Sequence, residues 1–410
     1  MEQMNFHYRN IAIQGIGTAV PEHKLDQADT SQRLGQALAD RPDSMRWAKR
    51  IFKQCGVDTR YTVEPDLLKP TADCRYFPNH SELEVPGTAD RMKTYKRESV
   101  PLALESARKA LRDAKVDASA ITHLITVSCT GQFLPGIDTH LIQELGMLRT
   151  VTRIPLNFLG CAAGLKGVCL ANQIVSSEPG AKVLIVTVEL CTLHIQPSSD
   201  REALFGASFF GDGSSACVVG TPGEGENLIF QLGQDHSVLL ADSADEMIWE
   251  VGDHGFDLYL SPNIPKLLTR FVPNEIEVLL NGSRDAELWA IHPGGKGIID
   301  AMETLYSLSE DQTAPSRTIL KNYGNMSSAT ILFVLNEMRH QYEEKAVSGR
   351  PAGLAIAFGP GLTCEMIQIQ YEPKRNPQHE KELFAAGTET ALPEILNTAA
   401  EVVRMDEAHV

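Results

Sequence analysis

The chain has 410 residues, which is about two to three times the usual length of a single domain. Hydrophobic residues make up 43% and charged residues 22%, a composition typical of soluble globular proteins. The balance of 37 basic against 53 acidic residues gives a net charge of -16, which excludes a generic polyanion-binding surface but leaves room for a local phosphate patch. No long apolar stretch and no export signal is visible, so we expect a cytoplasmic protein without a membrane span.

Short apolar runs alternate along the chain with longer amphipathic stretches. The runs are rich in β-branched residues and predict strands that are buried on both faces, and the amphipathic stretches predict helices. The clearest predicted helices are 98–115 and 329–344, and the clearest strands are 121–127, 183–188, 287–291 and 352–358. Alternation of this kind predicts an α/β fold with covered sheets.

Two regions divide the chain. The segment TPGEGEN at 221–227 is rich in Gly, Pro and Glu and marks a boundary between an N-terminal part, 1–225, and a C-terminal part, 226–375. From about Pro373 the sequence becomes polar, and we expect the tail, 376–410, to form a peripheral helix or to be partly disordered.

The cysteines are scattered and never form a C-x-x-C pair, which argues against a zinc or iron–sulfur site. Without an export signal a disulfide framework is also unexpected, so most of them should be small buried hydrophobes. One of them is a candidate nucleophile. They are Cys55, Cys74, Cys129, Cys161, Cys169, Cys191, Cys217 and Cys364.

Cys161 has the most informative position of the eight. In NFLGCAAGLKGVCLA it lies between an apolar run and a Gly/Ala-rich helix start, where the positive end of the helix dipole favours the thiolate. Gly160 and Gly164 permit a tight turn and the close approach of a substrate. The alternative is a buried cysteine in a small-residue helix, which describes Cys169 well.

Two further segments carry polar residues at the ends of predicted elements. His292 follows an apolar strand and precedes Pro-Gly-Gly, a place where active-site residues collect, although a histidine that caps a turn would look the same. Asn325, in NYGNMSSA, is either a turn former or an oxyanion donor. Each signal is weak by itself.

Taken together, five ordered blocks resemble the type III polyketide synthases, the chalcone and stilbene synthase relatives among the thiolase-like condensing enzymes. The blocks are GCAAGLKG, FFGDGSSA, WAIHPGG, YGNMSSA and FGPGLTCE, and the resemblance covers roughly residues 8–372. The stretch 249–262 resembles the bacterial branch. The resemblance implies a thiolase-like fold of two similar halves layered αβαβα, and a homodimer.

The resemblance also implies a reaction. Cys161 would load an acyl-CoA starter, and His292 and Asn325 would stabilise the enolate that forms as malonyl-CoA loses its carboxylate. In that family the cysteine thiolate is paired with an imidazolium. Iterative condensation would end in a pyrone, a resorcinol or a phloroglucinol-type product. No metal and no organic cofactor is required, and no nucleic acid is a partner.

Several other residues match positions of known role in that family. Phe210 and Phe256 match two gatekeeping phenylalanines, and Leu134 matches a residue that reaches into the partner subunit's cavity. The scaffold loop behind the cavity corresponds to Gly359, Pro360 and Gly361. The CoA phosphates would be met by Arg50 and Lys53, but the third basic position falls near Val57 and has no basic counterpart. With them, Lys49 and Arg60 complete a predicted phosphate patch.

The residues expected to line the substrate cavity are Cys129, Thr130, Cys191, His194 and Ser327. His194 is either a second polar group of the cavity or a packing residue. Small side chains at such positions leave room, which favours a long acyl starter.

Two alternatives are kept. A chain-initiating ketoacyl-acyl-carrier-protein synthase shares the Cys–His–Asn set, but it usually continues after the histidine with Gln-Ala-Asn, whereas this chain has Pro293, Gly294 and Gly295. A non-catalytic thiolase-fold protein that binds acyl-CoA generally lacks one of the three residues, and all three are present here.

Overall fold

The computed structural model describes residues 10–77, 84–282 and 286–373. The strands found in these residues are β1 (Ala12–Ala19), β2 (His23–Asp26), β3 (Thr59–Thr62), β4 (His123–Ser128), β5 (Thr152–Asn157), β6 (Lys182–Leu190), β7 (Asp212–Gly220), β8 (Phe230–Leu239), β9 (Met247–Gly252), β10 (Gly255–Leu260), β11 (Leu288–Ile291), β12 (Ala352–Gly359) and β13 (Thr363–Tyr371).

The α-helices of the same residues are α1 (Gln27–Ala37), α2 (Pro42–Gln54), α3 (Thr88–Ala114), α4 (Ile137–Leu145), α5 (Ala163–Ser177), α6 (Arg201–Phe209), α7 (Ile264–Leu279), α8 (Lys296–Tyr306), α9 (Glu310–Tyr323) and α10 (Thr330–Glu344). Both helices and all four strands predicted from periodicity are present with shifted ends. Helix α3 begins ten residues earlier than the 98–115 that its apolar spacing predicted, at Thr88.

The main sheet has nine strands in the order β11-β12-β13-β8-β1-β7-β6-β4-β5. Its two groups repeat one pairing scheme. The neighbouring strands are β1-β7-β6-β4 in one group and β8-β13-β12-β11 in the other. In both groups the strand that comes first in the chain lies beside the strand that comes last. The groups join through a short antiparallel contact that pairs Ala12 with Gln231 and Ile13 with Phe230.

Three hydrophobic clusters lie on the faces of the two strand groups and define the layers. Helices α5 and α10 share one cluster with strands of both groups, so they form the central layer. Helices α3 and α4 cover the outer face of the first group, and α7 and α8 cover that of the second. The result is the layered αβαβα arrangement of the thiolase-like fold, in which strands alternate their side chains between the central and an outer layer.

Separate elements complete the cavity side of the molecule. Helices α1, α2 and α6 share a fourth cluster, and the hairpin β9–β10 forms a two-stranded sheet of its own. No helix among the described residues is long and apolar enough to cross a membrane. The predicted boundary near 225 falls between β7 and β8, the division into 1–225, 226–375 and 376–410 stays a prediction, and the tail from 376 lies outside the described residues.

Candidate active site

Cys161 lies in a short 3-10 turn, Gly160–Ala162, between β5 and the start of α5. Gly160 adopts a positive φ of 65°, and a Cβ there would overlap the ring of Pro360. A Cβ on Gly164 would overlap the backbone oxygen of Ser328. The two glycines are therefore required by sterics, because the nucleophile turn is packed directly against the second half of the molecule.

Asn325 is held by its backbone and by its side-chain oxygen. Its N–H donates to the Phe209 carbonyl at 2.8 Å, and its carbonyl accepts from the Gly211 N–H at 3.0 Å. Its Oδ1 accepts from the Ser327 N–H at 2.8 Å, which fixes the orientation of the amide. The Nδ2 group then lies 3.8 Å from the Cys161 sulfur. The amide thus presents its donors towards the nucleophile.

His292 follows directly after β11 and is fully buried. Neither ring nitrogen has a hydrogen-bond partner within the described part of the chain, although buried polar groups are nearly always paired. Burial lowers the pKa of His292 to about 3, so the ring is neutral at physiological pH. The two unpaired ring nitrogens are therefore available to form hydrogen bonds with a ligand.

Burial also sets the protonation of Cys161. The residue as a whole is only partly buried, but its thiol is enclosed by protein, and this raises the pKa of Cys161 to about 11, although hydrogen bonds with Ser327 and Asn325 oppose the rise. This effect of burial acts against the helix dipole, which favours the thiolate. The dipole of one helix end contributes about 0.3–1 kcal/mol, less than the cost of an enclosed, unpaired charge.

These three residues line one cavity of about 480 Å³. We call the buried region around Cys161, His292 and Asn325 the closed end. We call the more exposed region formed by Trp47, Ile51, Arg201, Glu202, Pro262 and Gly297 the mouth. The remaining lining is mostly apolar or small and includes Cys129, Thr130, Cys191, Phe205, Phe210, Met247, Trp249, Leu258, Leu260, Ile298, Ser327, Phe358 and Pro360.

Of the five predicted cavity residues, His194 alone is absent from this lining. Its Nδ1 accepts from the Phe256 N–H at 3.0 Å, which leaves Nε2 to donate to the Thr130 carbonyl at 2.6 Å. Its ring stacks on Phe256 at 4.2 Å, and burial lowers the pKa of His194 to about 3. It lines an adjoining cavity of about 320 Å³, and because both of its ring nitrogens are bonded to backbone groups the structure favours the packing alternative.

The two predicted gatekeepers are placed differently. Phe210 lines both cavities, whereas Phe256 lines only the smaller one. Leu258, two residues further along β10 and therefore on the same face, lines both cavities together with Trp249. The indole N–H of Trp249 donates to the Cys129 carbonyl at 2.9 Å. Trp249 and Leu258 are wall residues that the sequence patterns did not identify.

The remaining predicted residues lie around this cavity. Pro360 is part of the lining, with Gly359 and Gly361 beside it in the chain, while Leu134 is 91% exposed and lies outside the lining. Arg50 and Lys53 are exposed on α2, the helix that contributes Trp47 and Ile51 to the mouth.

Arg60 does not belong to the predicted phosphate patch. It is fully buried, and its Nη1 donates to the carbonyls of Ala207 and Phe210 at 2.8 and 2.7 Å. Arg60 lies on the buried face of β3. The sequence shows that the residue is charged, but it does not show which face of the strand is buried.

Glu189 is a buried acid that sequence reasoning missed. Its carboxylate accepts from the Thr130 hydroxyl at 2.6 Å, from the Cys129 N–H at 3.1 Å and from the Ser328 hydroxyl. Burial raises the pKa of Glu189. The available signal was an acid at the end of an apolar run, VTVEL. The contacts tie together the two loops that carry Cys129 and Ser327.

Known protein families and proteins are similar to this chain over most of its length. Residues 5–223 match the model of the family "Chalcone and stilbene synthases, N-terminal domain", and residues 231–371 match that of the C-terminal domain. The chain is 32% identical to the "Alpha-pyrone synthesis polyketide synthase-like Pks18" of Mycobacterium tuberculosis, over 86% of this chain and 89% of that one. It is 33% identical to the 1,3,6,8-tetrahydroxynaphthalene synthase of Streptomyces coelicolor, over 85% and 89%.

Solved structures give the same result. The type III polyketide synthase domain of 'Steely1' from Dictyostelium superposes with a TM-score of 0.80 at 26% identity, over 88% of this chain and 99% of that one. PKS-I from the brown alga Ectocarpus siliculosus gives 0.80 at 27%, over 88% and 98%. The chain therefore belongs to the chalcone and stilbene synthase family, the type III polyketide synthases, which are acyl-transferring condensing enzymes.

Proposed function

We propose that Cys161, His292 and Asn325 catalyse the condensation of an acyl-CoA starter with malonyl-CoA, followed by cyclisation to a pyrone. One observation carries the proposal: a thiol, an imidazole with two unpaired nitrogens and an oriented amide meet at the closed end of a single cavity. A pyrone is favoured among the three product classes because the similar mycobacterial protein is described as acting in α-pyrone synthesis.

Loading begins from a neutral pair, since burial favours the uncharged forms of both Cys161 and His292. Transfer of the thiol proton to the imidazole makes two opposite charges that stabilise each other in a site of low polarity. The sulfur then attacks the starter thioester. The carbon–sulfur bond to CoA breaks, CoA leaves as the thiol with the proton from His292, and an acyl-Cys161 thioester remains.

Extension uses the same groups on malonyl-CoA. As the bond to the carboxylate breaks and CO₂ leaves, its electron pair forms an enolate whose oxygen accepts hydrogen bonds from His292 and from Nδ2 of Asn325. The enolate carbon attacks the acyl-Cys161 carbonyl, the Cys161 sulfur leaves as the thiolate and takes up a proton from solvent, and a chain two carbons longer remains on CoA. The step involves no change of oxidation state besides the loss of CO₂, so we propose that it needs no metal or organic cofactor, and we expect turnover to be unchanged by a chelator.

We propose a long-chain acyl starter rather than an aromatic one. The cavity volume of about 480 Å³ lies within the usual range for small-molecule sites, and an adjoining cavity of about 320 Å³ shares the walls Cys191, Phe210, Trp249 and Leu258. The lining near these walls is mostly apolar. An alkyl chain gains free energy for each methylene that it buries there, about 0.8 kcal/mol.

We also propose that the enzyme is a homodimer in which Leu134 reaches the partner subunit's cavity. The apolar side chain of Leu134 is 91% exposed and is therefore accessible to a second subunit. Size-exclusion chromatography with light scattering should give twice the mass of the chain.

The decisive experiment is mass spectrometry of products from malonyl-CoA with starters from acetyl-CoA to stearoyl-CoA and with coumaroyl-CoA. We expect pyrones from the long-chain starters at a kcat/KM at least tenfold above that for coumaroyl-CoA. A preference for coumaroyl-CoA would contradict the long-chain starter. Turnover that requires malonyl-acyl-carrier protein would favour the ketoacyl synthase instead.

A second experiment separates an enzyme from a binding protein. Cys161 is the one cysteine of the eight that is not buried, so iodoacetamide should label this thiol faster than the seven buried ones. Cys161→Ala should lose this label, and His292→Gln should slow it. Equal labelling of Cys161→Ala and the wild type would remove Cys161 from the mechanism.

A further inference from the structure

Arg201 occupies an electrostatically unfavourable position at the mouth. It is the first residue of α6, and the positive end of a helix dipole disfavours a cation there. It is exposed, and it makes no ion pair or hydrogen bond with any residue in the described ranges. An arginine at this position therefore does not stabilise the helix.

Two acids lie beside Arg201 without neutralising it. Asp200 precedes the helix and accepts from the Ser198 hydroxyl at 2.8 Å. Glu202 follows Arg201 and is exposed at the mouth. Neither carboxylate forms an ion pair with Arg201 in the described part of the chain. The guanidinium remains available to an anion that enters the cavity.

The phosphate patch predicted from the sequence is smaller in the structure. Helix α2 packs against α6 and carries the exposed Arg50 and Lys53. The third basic position is occupied by Val57, which is buried, and Arg60 is buried among backbone carbonyls. Of the four predicted members of the phosphate patch, one, Arg60, is thus absent from the surface, and Val57 places no cation at the third basic position.

We propose that Arg201 binds a phosphate group of CoA and so serves as the third cation of the CoA site. This inference rests on the proposed use of acyl-CoA and malonyl-CoA. A substrate whose thioester reaches Cys161 must pass through the mouth, and its phosphates then remain near α2 and α6. A guanidinium binds phosphate with two parallel hydrogen bonds, and such charged bonds are among the stronger ones that proteins make.

The test compares Arg201→Ala with wild type in two independent measurements. The first is the Kd of free CoA by calorimetry, which requires no turnover. The second is KM for malonyl-CoA and for the matching pantetheine thioester, which has no phosphate. We expect Arg201→Ala to raise the Kd of CoA and the KM of malonyl-CoA about 5- to 20-fold, with kcat and the pantetheine KM within twofold of wild type.

Three further arms sharpen the result. Dephospho-CoA shows which phosphate is bound: if Arg201 meets the 3′-phosphate, Arg201→Ala loses its effect on this ligand. Glu202→Gln should tighten CoA binding, because it removes a nearby negative charge. Arg112→Ala, an exposed arginine in the last turn of α3 and away from the cavity, is the matched control and should leave both constants unchanged.

Two outcomes would overturn the inference. One is a Kd for CoA within twofold of wild type in Arg201→Ala. The other is an equal rise in KM for malonyl-CoA and the pantetheine thioester, which would assign Arg201 to the acyl or pantetheine arm. If the wild type binds CoA but does not condense malonyl-CoA, the proposed function fails, while the ratio of the two CoA dissociation constants still decides the role of Arg201.

Discussion

At the closed end of the cavity, Cys161 comes from the first half of the molecule, the buried His292 and Asn325 come from the second, and Asn325 is held by backbone hydrogen bonds. At the mouth, Trp47, Arg201 and Glu202 are partly or fully exposed and have few polar partners. We therefore expect the closed end to determine the reaction, and the mouth and the walls to determine the choice of substrate.

Loss of a donor at the closed end should have the largest effect. Asn325→Ala and His292→Gln should each lower the condensation rate on the order of 10²–10³-fold, because each removes a hydrogen bond to the developing enolate. Mass spectrometry should still detect acyl-Cys161 in Asn325→Ala, since loading does not depend on that donor. A condensation rate within tenfold of wild type would contradict the contrast between the two ends.

The close packing of the nucleophile turn predicts an effect on stability. Gly164→Ala should lower the free energy of unfolding by about 1–3 kcal/mol, because the new Cβ overlaps the Ser328 backbone and the chain must shift. Gly349→Ala is the matched control, since its Cβ would meet nothing within 4 Å. Urea unfolding measures both. Equal stability of the two variants would show that the turn tolerates displacement.

The wall between the two cavities predicts a smaller, pH-dependent effect. Burial holds the pKa of His194 at about 3, below its ordinary value of 6.5, so between these values the unfolded chain binds more protons than the folded one. Stability is therefore complete above pH 6.5 and is lost as the pH falls towards 3. From pH 6.5 to 5 this amounts to about 2 kcal/mol for one histidine.

His194→Gln keeps a polar side chain but removes this titration. Its free energy of unfolding should fall by about 1–2 kcal/mol less than that of the wild type between pH 7 and 5. His340→Gln, at an exposed position, should behave as the wild type does. A pH dependence of His194→Gln identical to that of the wild type would show that His194 is not buried in its neutral form.

The sequence predicted the closed end better than the walls, and the reason is physical. Glycines around Cys161 and the residues after the strand that precedes His292 are required by local geometry, and local geometry leaves a local pattern. Whether Phe256 or Leu258 lines the larger cavity depends on the segments against which the hairpin β9–β10 packs. These segments are distant in sequence, so no local pattern predicts the outcome.

The pKa of Cys161 shows the same limit of what a sequence reveals. The position of the cysteine at a helix start is visible in the sequence, so the dipole effect was predicted. The enclosure of its thiol by residues more than a hundred positions away is not visible, and it is the larger effect. The same applies to Arg60. Its charge suggested an exposed side chain, but the side chain is buried in the fold.

The backbone bridge between Asn325 and the segment Phe209–Gly211 has a consequence for redesign of this enzyme. A substitution at Phe210 that displaces its backbone should also displace the Asn325 amide, so we expect changes of product made there to lower the rate. The hairpin β9–β10 has no such bridge, because it forms a sheet separate from the nine-stranded one. New starter specificities are therefore best sought at Trp249 and Leu258, where the wall can be reshaped while the chemistry stays intact.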